Sequence, residues 1–344
     1  MNSTTGIGSL PHHNIDSALT FSFRHGIPFL PQIPIRNHWE YMIAQALEDL
    51  PGLQIERDGE AKLNLEIWTS RTKALSERLD RAFQSAGKNQ EAFESFEPSP
   101  ATSSSWQSFI WELQERGCKQ AKIQIAGPLT SQWALRVTDG SSLEKHPDVA
   151  SQIFKLVLAR ALAMTRRLQS SGIAPILFLD EPGLYAYLPS NPKHMANFQE
   201  LKLMVQALSK EGVTVGLHCC SNTHWASVLG MDLTYLSLDT ALSLDHLLQT
   251  SRAEFLGFLK RGGRVSFGVI PTARSSALHS LNAEELFKDL HTRLLTALGD
   301  EVLVESVLKD ALYTPACGLA LQSIPDAEFI SDTLNEFVRY AQPS

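Results

Sequence analysis

The chain has 344 residues, 43% hydrophobic and 19% charged, with 30 Lys and Arg against 37 Asp and Glu for a formal net charge of -7. That balance is globular, and it leaves no basic surface to neutralise a phosphate backbone, so nucleic acid is not an expected partner. No apolar run reaches the roughly 20 residues that cross a bilayer, and the opening MNSTTGIGSLPHH lacks the basic and apolar regions of a signal peptide, so no membrane partner is expected and the expected location is the cytoplasm.

Taken in order, short apolar runs alternate with longer helical ones. Strands are expected at residues 5–10, 63–67, 122–126, 175–179, 214–219, 233–238, 264–269 and 311–314, each bounded by Gly, Pro, Asp or Ser as buried parallel strands are. The clearest helices are 149–168 and 283–298, with apolar residues at three- and four-residue spacing and Asn282 as N-cap of the second. The stretch 86–105, AGKNQEAFESFEPSPATSSS, is polar and carries a serine cluster, and reads as a surface insertion. Repeated strand-then-helix order predicts a parallel sheet with right-handed crossovers, here a single-domain (β/α)8 TIM barrel over residues 1–344.

The cysteines are Cys118, Cys219, Cys220 and Cys317, too few for a disulfide framework in a chain of this size. In the run TVGLHCCSN, residues 214–222, side chains alternate, so His218 and Cys220 share one face and Cys219 takes the other. A His-x-Cys pair at a strand end offers nitrogen and sulfur donors that suit zinc; a buried histidine beside two core cysteines is the plain alternative. Cys317 follows the last strand run, and in a closed barrel its end lies on the same face as that of residue 218. Asp239, at the end of the intervening strand, is a fourth candidate ligand; as a helix N-cap it has an equally ordinary role.

Two further stretches carry chemistry. FLDEPGL, residues 178–184, ends a strand in Asp180 and Glu181, and one of these carboxylates is expected to bind an ammonium or hydroxyl group of a ligand, a solvated loop with a helix-capping aspartate being the plain alternative. TGIGSLP, residues 5–11, sets Gly8 and Ser9 at the end of the first strand, where backbone N–H groups can receive a carboxylate.

In this order the pieces resemble the C-terminal catalytic barrel of cobalamin-independent methionine synthase, in the superfamily that also holds uroporphyrinogen decarboxylase and corrinoid-linked methyltransferases. The matching motifs are I-G-S-L-P at 7–11, K-x-Q-x-x-G-P-x-T at 122–130, D-E-P at 180–182, H-x-C at 218–220 and P-x-C-G-L at 315–319. The resemblance implies a zinc ion on His218, Cys220 and Cys317, with Asp239 near the place of the family's glutamate ligand. It also implies that Ile7 and Ser9 contact a substrate carboxylate and that Asp180 is a catalytic-site contact to the substrate amine. The reaction implied is methylation of a thiol, homocysteine or similar, by a methylated folate or a methyl-corrinoid protein. The stretch PQIPIRN, residues 31–37, lacks the acid that the synthase uses there for the amine, and the chain has no room for the synthase's N-terminal barrel. His12, His13 and His224 are candidate proton shuttles. A metal-free decarboxylase-like barrel and a non-catalytic zinc- or corrinoid-binding protein are the two rival readings.

Overall fold

The computed structural model describes residues 3–86, 91–141, 143–273 and 278–341. Its strands are β1 (Leu53–Ile55), β2 (Ala61–Leu63), β3 (Gln120–Ala126), β4 (Arg136–Val137), β5 (Ala174–Asp180), β6 (Thr214–Cys219), β7 (Tyr235–Asp239), β8 (Arg264–Ile270) and β9 (Leu312–Pro315). Strands β3, β5, β6, β7, β8 and β9 pair in that order into one six-stranded parallel sheet, while β1, β2 and β4 form a small separate one. Parallel neighbours require the chain to return to the start of the sheet each time. Helices Pro147–Ser170, Pro192–Lys210, Thr240–Thr250 and Ala283–Leu298 lie on these return paths.

The sheet's two edges are engaged by the N-terminal chain. On the β9 side Thr5 N donates to Tyr313 O at 3.1 Å and Tyr313 N to Ser3 O at 2.8 Å. On the β3 side Lys122 N donates to Pro28 O at 2.8 Å and Leu30 N to Lys122 O at 2.9 Å. The two extended segments also bond each other, Ile27 N to Thr4 O at 2.9 Å and Leu10 N to Gln32 O at 2.8 Å. Neither segment makes more than isolated parallel bridges. Pro28, Pro31 and Pro34 have no N–H to contribute to a ladder. Gly8, at φ 150, breaks the other segment, and there a Cβ would fall 2.5 Å from Gln124 Nε2.

The curl of the sheet has an inside and an outside. Ile27, Ile176, Phe178, Tyr235 and Leu312 form a buried cluster of their own, apart from the main core. Four of the five stand at or near the N-terminal ends of their segments, and together they plug the interior at that end. The main core lies between the outer face and the helices, where Leu156, Leu201, Leu244 and Leu294 are buried. Burial at roughly 1.5–3 kcal/mol per side chain makes this outer layer the chief source of stability.

Three expectations fail here. Residues 5–10 are not a strand, since the segment makes only isolated bridges at Thr4 and Ser9. Residues 63–67 are not a strand: only Leu63 belongs to β2, and Asn64 caps a helix over Leu65–Ser85 by accepting from Ile67 N at 3.0 Å. The L-N-L-E-I alternation stops there, and Leu75, Leu79 and Ala82 carry a helical stripe onward. Nor are residues 91–105 only a surface insertion. Phe93, Phe96, Thr102 and Ser105 are buried, and Arg160 holds the segment by donating to Phe96 O at 3.2 Å and Glu48 Oε2 at 2.9 Å. Residues 87–90 of that stretch lie outside the described ones.

Candidate functional site

The C-terminal ends of the parallel strands gather the chemistry. Strand register sets Asp180 of β5 opposite His218 of β6, and His218 opposite Ser237 of β7. Cys220 follows β6 at once, and Cys317 stands two residues beyond β9. The ligand atoms of His218, Cys220 and Cys317 all lie within 4.8 Å of one another. His218 is buried and both cysteines are half-buried, so the group is recessed yet reachable.

Their protons are shared. Cys220 and Cys317 are hydrogen-bonded, which with burial pushes the Cys220 thiol up. The same bond, with a second from His218, holds Cys317 well below the ordinary thiol range. A thiol beside a thiolate, next to an imidazole, is what two sulfur ligands become when they face one another in a low-dielectric pocket. Cys219 points the other way: it is buried, and its Sγ donates to Ser221 O at 3.2 Å.

Asp239 does not join the three. Its Oδ1 accepts from Ala241 N at 2.8 Å and Leu242 N at 3.1 Å, the N-cap of helix Thr240–Thr250. It still lies near enough for Cys317 and His218 to act on it electrostatically, and burial raises its carboxyl.

The adjacent acids part company. Glu181 is fully buried and its carboxylate accepts from Leu129 N at 3.1 Å, Thr130 N at 2.7 Å and Thr130 Oγ1 at 2.6 Å. It thereby ties β5 to the start of helix Pro128–Ala134, whose first N–H groups lack helical partners. Asp180, also buried, has Oδ1 with no partner among the described residues. Burial raises Asp180 to about 6, against the pull of His218 and Lys122. Burial likewise raises Glu181 to about 7, opposed by its Thr130 and Leu129 donors.

These shifts carry a sign. A carboxyl whose folded value exceeds its unfolded one binds its proton more tightly in the native state. The stabilisation is whole below the ordinary value of 4.5 and is lost as pH rises to about 7. The urea midpoint of metal-chelated protein should therefore fall between pH of about 5 and about 7.5. Glu181→Gln, which has no such proton to lose, should flatten that fall, and an equal slope in the variant would contradict the assignment.

Ser9 reaches the centre from the first extended segment. Leu319 N donates to Ser9 O at 2.8 Å, and a Cβ on Gly318 would overlap Ser9 Oγ. The hydroxyl thus sits against the loop that carries Cys317. Ile7 O accepts from Lys122 Nζ at 2.6 Å, and Gly8 packs on Gln124 and Gln32. Lys122 is a buried ammonium inside the curl, bonded also to Gln124 Oε1 at 3.0 Å and 5.2 Å from the Phe178 ring centroid. Burial draws it down to about 8, with Asp180 opposing. Ser237, Lys122 and Gln124 were not singled out from sequence for roles in the site; position-two alternation along β3 and β7 is the signal that places them inward.

The candidate shuttles are otherwise engaged or placed. His224 Nδ1 lies 2.8 Å from Ser227 Oγ and caps helix Trp225–Leu229. His12 is buried against the Phe21 ring, and His13 is exposed. Glu40, just past residues 31–37, is consumed by Ile33 N at 2.7 Å and Ser104 Oγ at 2.5 Å. A cavity of about 630 Å³ opens beside Glu181's loop, lined by Trp133, Arg136, Tyr185, Lys193, His194 and Asn197, and does not include the three-residue group. No helix among the described residues is long and apolar enough to cross a membrane.

No family model matches this sequence, and no curated protein matches it. Among solved structures, the chain is similar to a methyltransferase from Methanosarcina mazei, at 15% identity and a TM-score of 0.46 over 70% of this chain. The match covers 66% of that protein, so this chain spans just under two thirds of its length. A solved structure of a Schiff base forming fructose-1,6-bisphosphate aldolase matches at 13% identity and a TM-score of 0.28, over 77% of this chain and 99% of that one. Likenesses this distant carry no weight for activity, which must rest on the side chains.

Proposed function

We propose that the chain is a zinc-dependent S-methyltransferase that activates a small thiol, homocysteine or one similar to it. The observation that carries this reading is the convergence of His218, Cys220 and Cys317, ligand atoms within 4.8 Å, from β6 and the loop after β9. One imidazole and two sulfurs are the donor set zinc prefers, and three protein ligands leave a position for substrate. That Asp239 spends Oδ1 on a helix N-terminus favours an open catalytic centre over a closed structural one. When bound, the ion supplies the charge that lowers a substrate thiol's pKa and makes it nucleophilic near neutral pH.

The chain's own residues do the rest. Asp180, with a free buried oxygen, takes the substrate ammonium, while Ile7, Gly8 and Ser9 face its carboxylate. Glu181 holds helix Pro128–Ala134 in place, its carboxylate already engaged, and leaves the amine to Asp180. The methyl donor is a methylated folate or a methyl-corrinoid carried by another protein. In this reading the two N-terminal segments complete the six strands to the eight staves of a closed (β/α)8 barrel, one domain over residues 1–344 in the cytoplasm.

Metal analysis tests it. Purified protein should carry one zinc per chain, and zinc-edge absorption should gain a sulfur neighbour when homocysteine is added. No zinc affinity would defeat the reading in favour of a metal-free barrel, and zinc with an unchanging shell would make the site structural.

A further inference from the structure

His218 Nδ1 lies 2.9 Å from Ser237 Oγ, and both side chains are buried inside the curl. The contact joins register partners on β6 and β7, so the sheet itself fixes it rather than a mobile loop. With Nδ1 occupied, Nε2 is the ring nitrogen left for the two cysteines, whose sulfurs lie within 4.8 Å of the ring's ligand atom. A hydroxyl differs from a carboxylate or carbonyl in this place, because it can donate as well as accept. The next strand offers a second hydroxyl: Ser266, register partner of Ser237, is buried with no partner on its Oγ among the described residues.

We propose that Ser237 is a positioning residue for the centre, whose hydroxyl fixes the His218 ring through Nδ1 and so aims Nε2 at Cys220 and Cys317. Were an ion held on Nε2, Ser237 Oγ would accept from the ring's Nδ1–H and keep the ring in that orientation. This rests on the proposed metal reading of the three ligands. Residues that orient a metal-binding histidine are commonly worth about 10–100-fold in metal affinity.

The test is zinc affinity of the full chain by competition with a chromogenic chelator, for wild type, Ser237→Ala and Ser237→Thr. The alanine variant should bind zinc about 10–100-fold more weakly, and threonine, which restores the hydroxyl, should return affinity close to wild type. Unchanged affinity in Ser237→Ala, or threonine as weak as alanine, would overturn the proposal. Nitrogen-15 spectra of the His218 ring give a second readout: with zinc bound, Nε2 should be the metallated nitrogen and Nδ1 the protonated one, and metallation at Nδ1 overturns the proposal. Should wild type take no zinc, the metal reading fails on its own. The ring spectra then still decide Ser237: ring nitrogen shifts that move in Ser237→Ala and return in Ser237→Thr support positioning, and identical spectra in all three defeat it.

Discussion

Cys317→Ser is expected to strip the protein of zinc and of thiol methylation while leaving it folded. The substitution keeps the shape of a half-buried side chain at a loop position, but a serine hydroxyl does not ionise near neutral pH and so offers no anionic ligand. Loss of a residue that merely orients a ligand costs about 10–100-fold in affinity; loss of the ligand must exceed that. The companion Cys220→Ser should behave alike, and Cys219→Ser should not, because Cys219 faces the core and donates to Ser221 O at 3.2 Å. Zinc content after gel filtration, with circular dichroism as the control for folding, separates the three. Retention of zinc by Cys317→Ser would remove the reaction from this site.

The second large effect separates two neighbours in the chain. Glu181→Ala leaves the N–H groups of Leu129 and Thr130 buried without acceptors. At roughly 1–3 kcal/mol for each buried donor left unpaired, it should destabilise the fold by about 2–6 kcal/mol, read as a drop in the urea midpoint. Asp180→Asn removes a carboxyl that burial already disfavours, and it should leave the midpoint unchanged or higher. Its cost should appear in substrate binding, as a rise of about 10–100-fold in KM for homocysteine. The desamino analogue of homocysteine should show no such rise. An equal loss for both thiols would mean that Asp180 does not meet the amine.

The grouping of His218 with Cys220 was legible in the sequence because strand alternation puts these two on one face and Cys219 on the other, and the structure keeps that division. The parting of Asp180 from Glu181 was not legible. Both end the same strand, and what separates them is a helix N-terminus from the preceding unit, brought in by tertiary packing. The segment over residues 27–32 was not among the expected strands, since Pro28 and Pro31 cannot donate to a ladder, although the N–H groups of Ile27, Leu30 and Gln32 bond both neighbours. Residues 63–67 misled for the opposite reason: an alternating run of five was overridden by Asn64, whose side chain starts a helix. Lys122 and Gln124 were seen only as parts of a motif. Alternation along β3 sets these two on one face, but a polar residue in a strand is ordinarily solvated, and only the N-terminal chain over β3, through Ile7 O and Leu30 O, gives them buried partners.

The apolar plug of Ile27, Ile176, Phe178, Tyr235 and Leu312 makes the interior a vessel with a floor. That floor closes the strands' N-terminal end, so His218, Cys220 and Cys317 are approached from the C-terminal end. In the proposed methyl transfer, thiol and donor would share that approach, and the one held deeper would enter first and leave last.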